Sequence, residues 1–196
     1  MPGIAALFLV HFLSGLGGPV PAPLSEDGLE KKLEELRERY ENGSPEAKEF
    51  EIQESEANDF LRAQGATLPE GVENPWMRFE EGTTVVGATV DLEKFRASLP
   101  NSMLFQLLTG RVPVEITTRI EGAKGVGKLD LVRVLLGGLE LPASLVSAMA
   151  QSKNASQFLP PGFRLGEQFE LPYDLESIRC QLGKIRVQQR PTTVDK

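Results

Sequence analysis

Residues 111–121 alternate without a break. Val112, Val114, Ile116, Thr118 and Ile120 fall on one side, and Pro113, Glu115, Thr117, Arg119 and Glu121 on the other. Successive side chains of a strand point to opposite faces, so the pattern predicts a half-buried β-strand with one apolar face. Residues 128–136 read as a second strand, and the glycine-rich stretch between them as the turn of a hairpin. A one-faced sheet has to be covered, and that requirement constrains the rest of the chain.

Other segments supply more strand. In residues 83–92, Val86, Ala88, Val90 and Leu92 share one face, while Val85, Gly87, Thr89 and Asp91 share the other. Phe50 and Ile52 alternate with Glu51 and Gln53. A turn-rich connection over 68–75 leads to a strand over 76–80. Near the C-terminus Phe163 groups with Leu165, Phe169 with Leu171, and Ile178 with Cys180 and Leu182. Gly183 then turns the chain into a closing hairpin strand over 184–189.

The covers are short helices. One is capped by Ser55 and carries Ala57, Phe60, Leu61 and Gln64 up to Gly65; another starts at Pro142 and carries Leu145, Val146 and Met149. Helical pieces over 93–99 and 101–108 flank Pro100, and Pro160-Pro161-Gly162 ends the region after the Pro142 helix. No βαβ rhythm occurs. The fold class is therefore α+β: a twisted, curled antiparallel sheet packed around one or two amphipathic helices, preceded by a separate N-terminal helix.

That N-terminal helix spans 25–42. Ser25 caps it, Glu26 and Asp27 favour its positive end, and Gly43 stops it. Its stripe of Leu29, Leu33, Leu36 and Tyr40 either docks on its own domain or offers a face to a partner. Before it, residues 1–22 hold no Lys, Arg, Asp or Glu, and an apolar run over 4–16 is too short for a good membrane span. This reads as an export leader, although no basic residue precedes the run. The expected organisation is a leader over 1–22, a helix and linker over 23–48, one α+β domain over 49–190 and a frayed tail over 191–196. The expected location is periplasmic or secreted, with membrane tethering the lesser alternative.

Composition narrows the chemistry. The formal charge is −7, which disfavours nucleic acid because no basic stripe exists to displace counterions from phosphates. His11, the only histidine, lies in the leader, so a mature chain has no Ser–His or Cys–His couple and few transition-metal ligands. Cys180, the one cysteine, sits at an apolar strand position and reads as a buried thiol. Residues 122–128 superficially match a phosphate-binding loop. Leu129 stands where that loop needs Ser or Thr, and a strand follows where it needs a helix, so a hairpin turn is expected instead. Carboxylates are abundant but lie mostly on the 25–42 helix and on polar strand faces; paired-carboxylate hydrolysis is the catalytic chemistry that stays open. Trp76 is read as core packing or the rim of a pocket.

Short motifs in a fixed order carry a resemblance. Phe50-Glu-Ile-Gln-Glu-Ser-Glu-Ala-Asn-Asp-Phe-Leu61 resembles the opening of YpmS-like and LmeA-like bacterial proteins, with Glu56, Asn58 and Leu61 at the positions of their helix pattern. Gly125-Val-Gly-Lys-Leu-Asp-Leu, Gly138-Leu-Glu-Leu-Pro142 and the Ser177–Val187 hairpin are similar to later parts of that group. The resemblance implies a tubular lipid-binding (TULIP-like) fold, in which a twisted sheet wraps a long helix around an apolar channel, in an exported or membrane-tethered protein. It implies a lipid or other apolar ligand, with no cofactor and no catalysis. The residues expected to line such a groove are Phe60, Val86, Ala88, Val90, Val114, Ile116, Leu129, Leu131, Leu145 and Met149. Each serves equally well as ordinary core. The alternative function is a secreted scaffold with a filled core that engages a membrane-associated protein through the 25–42 helix.

Overall fold

The computed structural model describes residues 28–63, 68–96, 108–150 and 166–192, with the backbone alone for 147–150. The leader, Ser25 with its acidic neighbours, Gln64 and Gly65, the second helical piece, Pro160-Pro161-Gly162, Phe163, Leu165 and the last residues of the tail lie outside them, as does the side chain of Met149.

Among the described residues, nine strands form one antiparallel sheet. In chain order the elements are α1 (Leu29–Asn42), β1 (Lys48–Gln53), α2 (Glu54–Ala63), β2 (Val72–Glu80), β3 (Thr83–Asp91) and α3 (Leu92–Phe95). There follow β4 (Arg111–Ala123), β5 (Val126–Leu136), β6 (Leu139–Glu140), α4 (Ala143–Ala150), β7 (Gln168–Glu170), β8 (Leu175–Gln181) and β9 (Lys184–Gln189). The α+β class holds, and the sheet is strongly curled into a half-barrel with helices packed on it.

The curl follows from how β4 is shared. One edge of β4 pairs with β5 over most of its length. On the other edge, β3 takes the stretch up to Thr118 and β8 takes over at Glu121 and Gly122. The sheet therefore divides into a β3–β2 arm and a β8–β9–β1 arm. The hairpin turns of the two arms meet: the Gly82 amide donates to the Cys180 carbonyl at 3.2 Å, and the Gly183 amide to the Phe79 carbonyl at 3.0 Å. Cys180 sits in this seam, its thiol donating to the Thr83 carbonyl at 3.0 Å and the Glu80 carbonyl at 3.3 Å.

The β4–β5 connection is a two-residue hairpin turn closed by the Ala123–Val126 pair. Lys124 and Gly125 both take positive φ (56° and 78°), as such a turn requires. The Gly125 amide is already engaged by the Glu176 carbonyl at 3.0 Å, and a Cβ on Gly127 would stand 2.6 Å from Leu171. The glycines of 122–128 thus serve a turn and a close approach, as the hairpin expectation had it.

α1 docks on its own domain. Leu29, Leu33 and Leu36 are buried in the main core, while Tyr40 is 44% exposed and drops out of the stripe, stacking edge-on against Tyr173 at 5.4 Å. Lys32 fastens α1 to α2 and β1, donating to Glu56 at 2.6 Å and to the Glu51 carbonyl at 2.7 Å.

Several local expectations are corrected. α2 starts at Glu54 rather than after Ser55; its cap is Glu56, whose carboxylate accepts from the Gln53 amide at 2.7 Å, the reciprocal half of a capping box. β2 begins at Val72, inside the expected connection, because a bulge between Glu73 and Trp76 with Asn74 at φ 50° admits Pro75 to an edge strand. Leu92 opens α3 under an Asp91 cap, one residue before the expected start, and residues 97–99 of that expected helical piece lie outside the described residues. Leu182 occupies the β8–β9 turn and is 78% exposed instead of joining Ile178 and Cys180 in the core.

Candidate functional site

The inner face of the sheet is built by the β3–β4–β5 ladder. Val86 pairs with Ile116, which pairs with Val134; Ala88 pairs with Val114, which pairs with Leu136. These are two apolar rows across three strands, with Val90 and Val112 forming the start of a third. Further along, Ile120 faces Leu129 and Thr118 faces Leu131. Each row alternates with outward residues, so the chemistry of this face is hydrocarbon.

Of the ten residues expected to line a groove, seven are buried in one contiguous cluster: Phe60, Val86, Ala88, Val90, Val114, Ile116 and Leu129. Leu131 and Leu145 are partly buried and pack against it. Leu145 is carried by α4, whose start is held by the Pro142 carbonyl accepting from the amides of Leu145 at 2.9 Å and Val146 at 3.1 Å.

α2 holds Phe60 over the β2 side of the face. Asn58 fixes it there by copying a strand: its Nδ2 donates to the Met77 carbonyl at 2.7 Å while its Oδ1 accepts from the Met77 amide at 2.8 Å. The Glu54 carboxylate accepts from the Phe79 amide at 2.8 Å. β2 is an edge strand, and these side chains satisfy backbone groups that would otherwise be open to another chain.

Periodicity alone missed several members of the face. Val134 and Leu136 point inward because β5 carries an extra residue, Val132, between the pairs Thr118–Leu131 and Thr117–Arg133. The signal was present: strict alternation from Leu129 would place Arg133 in the core, which a charge without a partner does not tolerate. Leu29, Leu33 and Leu36 join the same cluster from α1. Trp76 was expected in the core or at a pocket rim, and it is not part of the core. It lies half-buried on the outer face over Gly87, with the Arg78 guanidinium 5.5 Å from its ring.

Polar groups on the inner side include Gln189 of β9, whose Nε2 donates to the Leu36 carbonyl at 3.1 Å and the Tyr173 carbonyl at 3.0 Å, and the side chains of the seam. The Thr84 hydroxyl and the Cys180 thiol are 3.6 Å apart, and burial pushes the thiol pKa up against the lowering effect of these hydrogen bonds. A thiol held neutral in this way is a packing group, not a nucleophile. Among the described residues, no His, Cys, Asp and Glu side chains gather into a set that could hold a metal ion, and no helix is long and apolar enough to cross a membrane. No family model matches the chain, and no curated protein or solved structure matches it.

Proposed function

We propose that this protein is exported and binds or carries a lipid or another apolar molecule against the concave face of its sheet, without catalysing a reaction. The observation that carries this reading is the pair of unbroken apolar rows across β3, β4 and β5 on the inside of a half-barrel. Burial of apolar area is all such binding needs. A guest hiding ~300 Å² gains ~7–8 kcal/mol at about 25 cal/mol per Å², before ordering costs.

Two further features support it. Residues 1–22 carry no charge, as suits a leader. The order of motifs that resemble those of YpmS-like and LmeA-like proteins supports the same class of ligand. The scaffold alternative relies on α1, whose leucine stripe is occupied by the chain's own core.

Bulky substitution tests the reading. If the face encloses space for a guest, Val90→Phe or Ile116→Phe fills that space, keeps the thermal midpoint, and abolishes binding of an apolar fluorescent dye. If the core is filled, either change overpacks it, costs about 1–3 kcal/mol, and has no dye binding to abolish.

A further inference from the structure

α1 ends on Asn42, with Gly43 next, and the three asparagines among the described residues differ in what their side chains are free to do. Asn58 is committed at both ends of its amide: Nδ2 donates to the Met77 carbonyl at 2.7 Å, and Oδ1 accepts from the Met77 amide at 2.8 Å. Asn74 precedes Pro75, which has no N–H. Asn42 is exposed and has no side-chain hydrogen bond among the described residues. Gly43 stands at φ 75° and ψ 143°, so the chain leaves the helix here. Helix ends fray, which lets Asn42 leave the helical ψ that holds its amide away from the next backbone nitrogen.

An asparagine amide and the backbone N–H that follows it are joined by the chain, so their reaction is unimolecular and gains from proximity. A side chain on the second residue would crowd the ring that forms; Gly43 has none. We propose that Asn42 is a self-modification site, converting to aspartate and isoaspartate through a cyclic imide. The Gly43 nitrogen gives its proton to water and bonds to the Asn42 Cγ, and the side-chain nitrogen leaves as ammonia. Water then adds to one ring carbonyl and breaks its bond to the ring nitrogen. Cleavage at Cγ gives aspartate; cleavage at the main-chain carbonyl gives isoaspartate.

Both products put a negative charge at the negative end of α1, one turn after Glu38. Arg39 is already engaged, donating to the Gln189 Oε1 at 3.1 Å and the Glu46 carbonyl at 2.6 Å. Isoaspartate also adds one atom to the main chain just before Ser44. The Ser44 amide donates to the Thr192 carbonyl at 3.0 Å, and the Thr192 amide to the Ser44 carbonyl at 2.8 Å. The modification therefore loosens the last turn of α1 and this bridge. The inference does not rest on the apolar-ligand reading.

Incubation of the full chain in mildly alkaline buffer, followed by peptide mass spectrometry, tests it. The tryptic peptide Tyr40–Lys48 is expected to shift to the mass of the carboxylate form and to split into two isomers. The peptides holding Asn58 and Asn74 are expected to keep their mass, and Asn42→Gln to show no shift in its own. Amide hydrogen exchange of the aged protein is expected to lose protection at residues 39–44 and at Thr192, relative to fresh protein. No conversion at Asn42, equally fast conversion at Asn58 or Asn74, or conversion with unchanged exchange at Ser44 and Thr192 would overturn the proposal.

Discussion

Gly87 owes its identity to Trp76. A Cβ at this position would stand 2.2 Å from the indole ring, so the ring would have to leave. Gly87→Ala is expected to lose about 1–3 kcal/mol of stability. Trp76 is the only tryptophan, so its displacement should also shift fluorescence emission to the red; unchanged emission would contradict the packing described. Cys180 sets a pH dependence. Its folded pKa is raised, chiefly by burial, so folding favours the neutral thiol. The contribution is full below the unfolded thiol pKa of about 8.5 and is lost as pH rises through the folded value. The urea midpoint of the wild type should therefore fall more steeply above about pH 8.5 than that of Cys180→Ala. Parallel slopes would show that the thiol does not titrate with folding. The buried thiol follows from its apolar strand position, whereas Trp76 reads as core by its size, and only the pairing of Trp76 with Gly87 reveals a ring lying on the outer face.

At the scale of elements, the strands that alternate strictly were legible and the ones that break step were not. β4 appears with its faces as expected because its inward row runs unbroken from Val112 to Ile120. β5 does not, because Val132 shifts the parity and is itself 48% exposed. The start of α2 was misassigned for a related reason: Ser55 has the composition of a cap, yet the capping group is the Glu56 carboxylate one residue on. A bulge bends its strand and adds local twist, which suits a sheet that must curl. Deleting Val132 leaves Leu131 facing Thr118 and Arg133 facing Thr117 in an unbroken ladder. The variant is expected to fold with the same core and protected β4 amides but with a flatter sheet, weakening apolar dye binding. Loss of the fold would instead mean that the bulge is needed for pairing itself.

At the scale of the molecule, one strand shared by two arms turns a flat problem into a trough. β3 and β8 occupy the same edge of β4, their hairpin turns lock at Gly82 and Gly183, and α1 and α2 close over the inner face. The α+β class and most of the inner face were readable from the period of the strands. The division of the sheet was not, since it depends on which strands share an edge, and periodicity carries no information about partners. The central claim is that this trough receives an apolar guest. Native mass spectrometry of the full chain purified from cells whose membranes supply natural lipids, before and after solvent extraction, tests it most directly. The account predicts a lipid or other apolar molecule bound stoichiometrically and removed by the solvent. A protein found empty, and still empty after incubation with total membrane lipids, would contradict it.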